Sequence, residues 1–204
     1  MAIELTVDLV ILTLREDSLC VLLAKRQHAP FKNHWEIPGR FLREKESLEE
    51  AIAAELEEEI GTREFHFEQL HAFGDPKRDP RGRVVAVSAI ALVPAGREAA
   101  SKGGAAEAAW FEVSSLPRLA FDHRKIVQCG VNRLKERVLL SDTVKHFLPE
   151  EFTLGELKAL SQVVLADRES VQLQLALLKK RKLLEPGKKR PLKGPQRYRF
   201  RKKS

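Results

Sequence analysis

The sequence predicts an α/β protein, or an α+β protein with a mixed sheet, followed by a small second domain. β-rich runs alternate with helical patterns through most of the 204-residue chain, and Pro149 marks a plausible boundary. The charge is also uneven. Residues 179–204 carry thirteen Lys and Arg against Glu185 alone, a net charge of +12, which leaves −5 for residues 1–178. We therefore expect domains at 1–148 and 149–204, the second contacting a polyanion.

The elements of the first domain follow from local patterns. Residues 5–14 and 19–24 are two β-rich runs joined by a short polar segment, which predicts a hairpin. Gly61 ends an acidic helix that begins at Ser47. Further strands are predicted at 65–73, 84–93 and 108–113, and an amphipathic linking helix at 122–140.

Cysteine usage and the N-terminal residues indicate the compartment. Cys20 and Cys129 lie far apart without metal-ligand spacing, so a reducing cytoplasm is expected. Glu4 and Asp8 interrupt the first apolar run, which excludes a signal peptide or membrane helix there. The protein is therefore expected to be cytoplasmic.

The acidic helix carries a cluster of carboxylates. Glu55, Glu58 and Glu59 share an arc beside its apolar stripe, at spacings of three and four residues. Such carboxylates repel one another unless a cation, for which Mg²⁺ is suited, neutralises them. Glu49 lies inside the stripe and weakens the argument, so spacing alone leaves a metal site and a solvated helix both open.

The segment GRFLREKESLEEAIAAELEEEIG, residues 39–61, resembles the Nudix box. In that family the equivalents of Glu55, Glu58 and Glu59 bind a divalent metal, which activates water to attack a diphosphate. The box is altered at three positions: Arg40 replaces a glycine, Ala54 an arginine and Thr62 an aliphatic residue. The missing arginine normally positions the glutamates. The three glutamates are therefore interpreted as vestigial, hydrolysis is expected to be lost, and Mg²⁺ can bind without being required.

A resemblance over nearly the whole chain is carried by segments such as LTVDLVILTL (5–14), FGDPKRDPRGRVVAV (73–87) and FLPEEFTLGELKAL (147–160). These resemble the Nudix-related regulators of NAD metabolism, the NrtR type. The resemblance implies a Nudix α/β/α sandwich with a mixed sheet, joined to a winged helix-turn-helix. It also implies a homodimer that binds operator DNA, commonly as a repressor, with ADP-ribose or a related nucleotide as effector.

Four arginines are candidates for binding that effector, because guanidinium groups bind phosphates in bidentate geometry. Arg78 has the alternative of pinning a turn with Asp79, and Trp35 is more easily explained as core than as a stacking platform. The candidates are Arg26, Arg40, Arg78 and Arg81.

The second domain has its own signals. Residues 153–156 form a capping box, and Asp167 is a plausible N-cap for a recognition helix. Residues 170–175 alternate with period two, so the pattern alone equally favours a strand; the resemblance favours a helix. Glutamine can read adenine, while Lys and Arg neutralise phosphates. The DNA-binding candidates, which extend into a basic wing and tail, are Ser170, Gln172, Gln174, Lys179, Lys180, Arg181, Lys188, Lys189, Arg190 and Arg197.

These observations lead to one main hypothesis and two alternatives. The main hypothesis is a transcriptional regulator, expected to be a repressor of NAD-metabolism genes, that senses ADP-ribose or a related nucleotide. One alternative is an active Nudix pyrophosphohydrolase of the ADP-ribose type with a basic nucleic-acid-binding tail. The other is a sugar-sensing regulator of the same architecture.

Overall fold

A computed structural model describes residues 3–62, 66–94, 107–187 and 195–201. The chain forms two compact units, residues 1–131 and 132–204. No helix within these described ranges has the length and apolar character needed to cross a membrane.

The first unit is built on a mixed sheet of seven strands in the described residues. Among the strand pairs of the described residues, β1 and β6 run parallel and the others run antiparallel. The order is β3-β2-β1-β6-β5, with β4 pairing β1 and β7 pairing β2. The strands are β1 (Glu4–Arg15), β2 (Ser18–Lys25), β3 (Trp35–Glu36), β4 (Gly39–Phe41), β5 (His66–Phe73), β6 (Val84–Leu92) and β7 (Ala108–Glu112). The predicted mixed sheet is confirmed.

Helix α1 (Leu48–Ile60) covers one face of this sheet. Ser47 and Glu50 form a reciprocal capping box at its start, and Gly61 takes a left-handed conformation with φ 82° at its end. Its buried side, which includes Ile52 and Leu56, packs in one cluster with alternate β1 residues and with β6.

Helix α2 (His123–Leu140) covers the opposite face. Val10 of β1 has the opposite parity to the residues that face α1, and it lies against Gly130 of α2. A Cβ atom added at Gly130 would lie 2.8 Å from Val10 Cγ1. Helices thus cover both faces, and the predicted α/β/α sandwich is confirmed.

The second unit has the elements of a winged helix-turn-helix. Helix α3 (Leu154–Leu165) begins with the predicted Thr153–Glu156 capping box, and helix α4 (Arg168–Lys180) begins at Asp167, whose side chain accepts a hydrogen bond from the Ser170 N–H. The helical interpretation of residues 170–175 is therefore confirmed. Strands β8 (Phe152–Thr153), β9 (Leu184–Pro186) and β10 (Arg197–Phe200) form a small antiparallel sheet in the order β8-β10-β9.

The two units divide within α2, whereas the sequence placed the whole linking helix in the first domain. Leu134 and Val138, in the second half of α2, are fully buried and belong to the second unit. The functional division at residue 149 remains a prediction. What the structure adds is that α2 is continuous from one unit into the other.

Candidate functional site

A cavity of about 100 Å³ lies where the loop after β5 meets the strands of the first unit. Arg26 follows β2, Arg40 lies in β4, and Arg78 and Arg81 come from the loop between β5 and β6. All four predicted arginines line this one cavity, although they are distant in sequence. Whether they bind an effector remains a prediction.

Arg78 is the most buried of the four. Its Nη2 atom lies 3.1 Å from Asp8 Oδ2 and 2.8 Å from Asp122 Oδ1, so it joins β1 to the residue before α2. The Arg78 guanidinium is paired with Asp8 and Asp122, so the alternative that Arg78 pins a turn with Asp79 is wrong. Asp79 instead accepts hydrogen bonds from the guanidinium and the backbone N–H of Arg81.

The remaining two arginines are also paired with carboxylates. Arg26 bonds Glu36 and the Pro30 carbonyl oxygen, and Arg40 lies 3.4 Å from Glu46. Each candidate arginine therefore has at least one carboxylate partner before any ligand arrives. An anionic ligand must share these guanidinium groups or exchange with their carboxylates.

Phe121 is a lining residue that the sequence analysis missed. The Arg26 guanidinium lies 4.7 Å from its ring centroid and that of Arg81 lies 5.6 Å away, while Phe31 packs edge-on at 4.9 Å. Its φ of 49° is unusual for a residue other than glycine. No sequence pattern reveals that conformation, although its place just before the linking helix was visible.

Asp8 and His123 are buried residues that line the cavity. Burial raises the pKa of Asp8 to about 6 even though Arg78 opposes this change, so Asp8 is an anion at neutral pH. Burial, reinforced by Arg78, lowers the pKa of His123 to about 3, so its ring is neutral. The His123 Nδ1 atom accepts the Ile37 N–H at 3.2 Å, which leaves the proton on Nε2, 3.8 Å from Asp8 Oδ2.

A second cavity, of about 240 Å³, shares Arg26, Arg40 and other residues with the first and is lined by the three α1 glutamates. Glu55 and Glu59 are each only 5% exposed, whereas Glu58 is exposed. Burial, then Glu59 and Glu58, raise the pKa of Glu55 to about 8. Burial, then Glu58 and Glu36, raise that of Glu59 to about 7. A purely solvated acidic face is therefore excluded for these two residues.

The carboxylates fit a hard divalent cation in their chemistry. Glu59 Oε2 is buried without a hydrogen-bond partner, and oxygen donors are what Mg²⁺ prefers. Glu55 and Glu59 are the residues that would hold such an ion, which would neutralise their charge. Within the described part of the chain, however, no three His, Cys, Asp or Glu side chains stand ready-assembled around one metal position.

Arg40 does not replace a cation at this site. Its charge and the Gly39 N–H both lower the pKa of Glu55, but burial and the neighbouring glutamates outweigh them. Arg40 is instead paired with Glu46, the other glutamate of the box. The carboxylates thus remain short of positive charge.

The predicted DNA-binding residues are placed unequally. Gln172, Lys179 and Lys180 are exposed on α4 and Ser170 is partly buried. Gln174 is fully buried, with neither amide atom hydrogen-bonded, so its prediction as a base-reading residue is wrong for this conformation.

Two further candidates are engaged with backbone. Arg181 donates to the Leu140 carbonyl oxygen, and Arg197 on β10 donates to that of Glu151 at 3.2 Å. Lys188, Lys189 and Arg190 lie outside the described residues.

The chain belongs to the NUDIX domain family, whose model matches residues 4–128. Over most of its length it is similar to the NrtR-type regulators. It is 30% identical to the ADPR responsive transcriptional repressor NtrR of Acinetobacter baylyi over 165 residues, 79% of this chain and 66% of that protein. A crystal structure of Shewanella oneidensis NrtR complexed with a 27mer DNA superposes with a TM-score of 0.79 at 29% identity, covering 97% of this chain and 93% of that one.

A different relative matches the first unit alone. The ADP-ribose pyrophosphatase of Methanocaldococcus jannaschii is 40% identical over 108 residues, which are 53% of this chain and 63% of that protein. The chain thus spans less than two thirds of the length of either of these two relatives.

Proposed function

We propose that this protein is a DNA-binding transcriptional repressor of NAD-metabolism genes that senses ADP-ribose or a related nucleotide. One observation carries this proposal: a Nudix unit and a helix-turn-helix unit with a β-hairpin wing occur in one chain, and 97% of this chain is matched by a DNA-bound NrtR. The repressor NtrR, described as ADPR responsive, supports the choice of effector. A regulator of this kind acts in the cytoplasm as a homodimer on paired half-sites.

The cavity of the four arginines is the proposed effector site. Guanidinium groups beside an aromatic ring suit a ligand that combines a diphosphate with a nucleoside. Arg78 connects this cavity to Asp122, immediately before α2. A ligand that shares the cavity arginines with their carboxylates would therefore act, through the intact Arg78–Asp122 pair, on the start of the helix that runs into the second unit. Mg²⁺ at Glu55 and Glu59 is compatible with sensing and not required for it.

The experiment measures DNA binding with and without effector. Duplexes selected from a random library by the full chain would be titrated by fluorescence anisotropy, with ADP-ribose, related nucleotides and simple sugars added in turn. ADP-ribose should change the DNA affinity severalfold, since an effector acts only through its differential affinity for two states. Sugar sensing is favoured instead if only sugars act. If no added ligand alters the affinity, the sensing proposal is wrong.

A pair of arginine variants tests the site. Arg40→Ala should weaken the ADP-ribose effect and leave DNA affinity without effector unchanged. Arg43→Ala is the matched control, because Arg43 is an exposed arginine just beyond β4 that does not line the cavity. Equal effects of the two variants would contradict the assignment of Arg40.

The second candidate is an ADP-ribose pyrophosphatase with a basic nucleic-acid-binding tail. Glu55, Glu58 and Glu59 are all present, and the pyrophosphatase relative is 40% identical to this unit. Ala54 stands against it, because the arginine that positions the glutamates is missing. Release of AMP from ADP-ribose in Mg²⁺ or Mn²⁺ buffer distinguishes the two functions.

A further inference from the structure

The exposed face of α4 differs from a purely basic DNA-binding surface. Because a helix repeats every 3.6 residues, positions at spacings of three and four share one face. Val171, Gln174 and Leu178 form the buried face. The opposite face, called here the reading face, consists of Glu169, Gln172, Leu173, Ala176, Lys179 and Lys180, all of which are exposed.

The middle of the reading face carries two apolar side chains and one side-chain amide. Leu173 is 51% exposed, and Ala176 lies one turn further along with Gln172 beside them. A leucine side chain that stays exposed to water gains no free energy of apolar burial at that position. The two lysines follow at the C-terminal end, where they suit phosphate contacts.

Base-pair chemistry in the major groove matches these side chains. Thymine presents a C5-methyl group to apolar side chains, and adenine presents N7 and the N6 amino group to a glutamine amide. Since α4 is the second helix of the helix-turn-helix, it is the element that enters the major groove. The only base pair that offers both a methyl group and the adenine pattern is A·T.

We propose that Leu173 and Ala176 contact thymine methyl groups while Gln172 binds adenine, so that the reading face selects consecutive A·T pairs. This inference rests on the proposed DNA-binding function. It assigns specificity to Gln172, Leu173 and Ala176 in place of the buried Gln174. Lys179 and Lys180 contribute affinity without sequence preference.

The test uses base analogues in the selected duplex. Uracil in place of each thymine removes only the methyl group, and 7-deazaadenine in place of each adenine removes only the N7 acceptor. At the positions under α4, loss of one methyl contact should weaken binding about fourfold, the equivalent of ~0.8 kcal/mol for one buried methylene-sized group. Loss of N7 removes one of the two hydrogen bonds of the glutamine–adenine pair and should weaken binding by about two- to tenfold.

The variants identify which side chain reads which group. In Leu173→Ala, thymine and uracil duplexes should bind equally well, and in Gln172→Ala the sensitivity to 7-deazaadenine should vanish. Lys180→Ala is the control: it should weaken all duplexes alike, preserve both ratios and lower the salt dependence. Leu173 is exposed, so its truncation should leave the thermal unfolding curve unchanged.

Each outcome has a defined meaning. Specific binding that is indifferent to uracil everywhere overturns the inference, and this result needs no variant. Methyl sensitivity that survives in Leu173→Ala overturns the role of Leu173. If the chain binds DNA but selects no sequence from the library, base reading is overturned while the DNA-binding function is supported. Absence of binding to every duplex at low salt refutes the proposed function itself.

Discussion

The buried glutamates of α1 should make the stability of the first unit fall as the pH rises through neutrality. Glu55 has a pKa of about 8 in the folded protein, chiefly because it is buried, against 4.5 for an ordinary glutamate. An acid with a raised folded-state pKa binds more protons folded than unfolded. The contribution of Glu55 to stability is therefore fully present below about pH 4.5 and is lost as the pH rises to about 8.

The size of the effect follows from these values. Between pH 6.5 and 8.5, deprotonation of Glu55 alone should lower the free energy of unfolding by about 2 kcal/mol, at 1.36 kcal/mol per pKa unit. Glu59 has a pKa of about 7, which lies closer to that of an ordinary glutamate, so it should add under about 1 kcal/mol. Glu55→Gln should remove most of this pH dependence.

The assay is equilibrium unfolding in urea followed by tryptophan fluorescence. Trp35 and Trp110, the two tryptophans of the chain, both lie in the first unit, so the signal reports that unit. Glu57→Gln is the matched control, because Glu57 is exposed on the same helix. Millimolar Mg²⁺ should flatten the wild-type dependence, since the ion binds deprotonated carboxylates. Stability that is constant or rises from pH 6.5 to 8.5, or a Glu55→Gln variant with the wild-type slope, would refute this reasoning.

Four further predictions concern catalysis, assembly and packing. Turnover of ADP-ribose should fall far below the usual enzyme rate of roughly 10 per second, because misplacing catalytic groups by about 1 Å can cost about 10²-fold; rates near that median would contradict it. Light scattering should give twice the chain mass of 23.1 kDa, and a concentration-independent monomer would count against the dimer. Gly130→Ala should destabilise the first unit by about 1 kcal/mol, because the clash with Val10 costs more than the gain in helix propensity. The double variant with Val10→Ala should lose less stability than the sum of the two single losses, and additive losses would contradict the clash. Gln174→Leu should stabilise the second unit by about 1–3 kcal/mol, because it removes two buried polar atoms that have no hydrogen-bond partner. The gain should appear as slower hydrogen exchange of the α4 amides, and faster exchange would mean that the Gln174 amide has a partner.

Local signals in the sequence predicted the elements well. The hairpin of β1 and β2, the end of α1 at Gly61 and the cap at Thr153 each depend on neighbouring residues only. Such signals are visible in sequence because their partners lie within a few positions.

Partners across the fold were not predictable in the same way. A turn pinned with Asp79 was the alternative role for Arg78, yet its partners Asp8 and Asp122 lie 70 and 44 residues away. For Gln174 a signal did exist. Its spacing from Val171 and Leu178, three and four residues, places all three on one face once the segment is a helix. The period-two pattern concealed this relation.

Solvent exposure distinguishes the roles that Arg78 and Arg81 can have in the cavity. The Arg78 side chain is 4% exposed and holds two carboxylates, so releasing it would leave buried charges unpaired at a cost of several kcal/mol. The Arg81 side chain is 42% exposed and lies near Phe41 and Phe121, so it can contact a ligand while it keeps its hydrogen bonds to the buried Asp79 carboxylate. Arg81 is therefore suited to contact an anionic ligand, whereas Arg78 is suited to hold β1 and Asp122 in position around it.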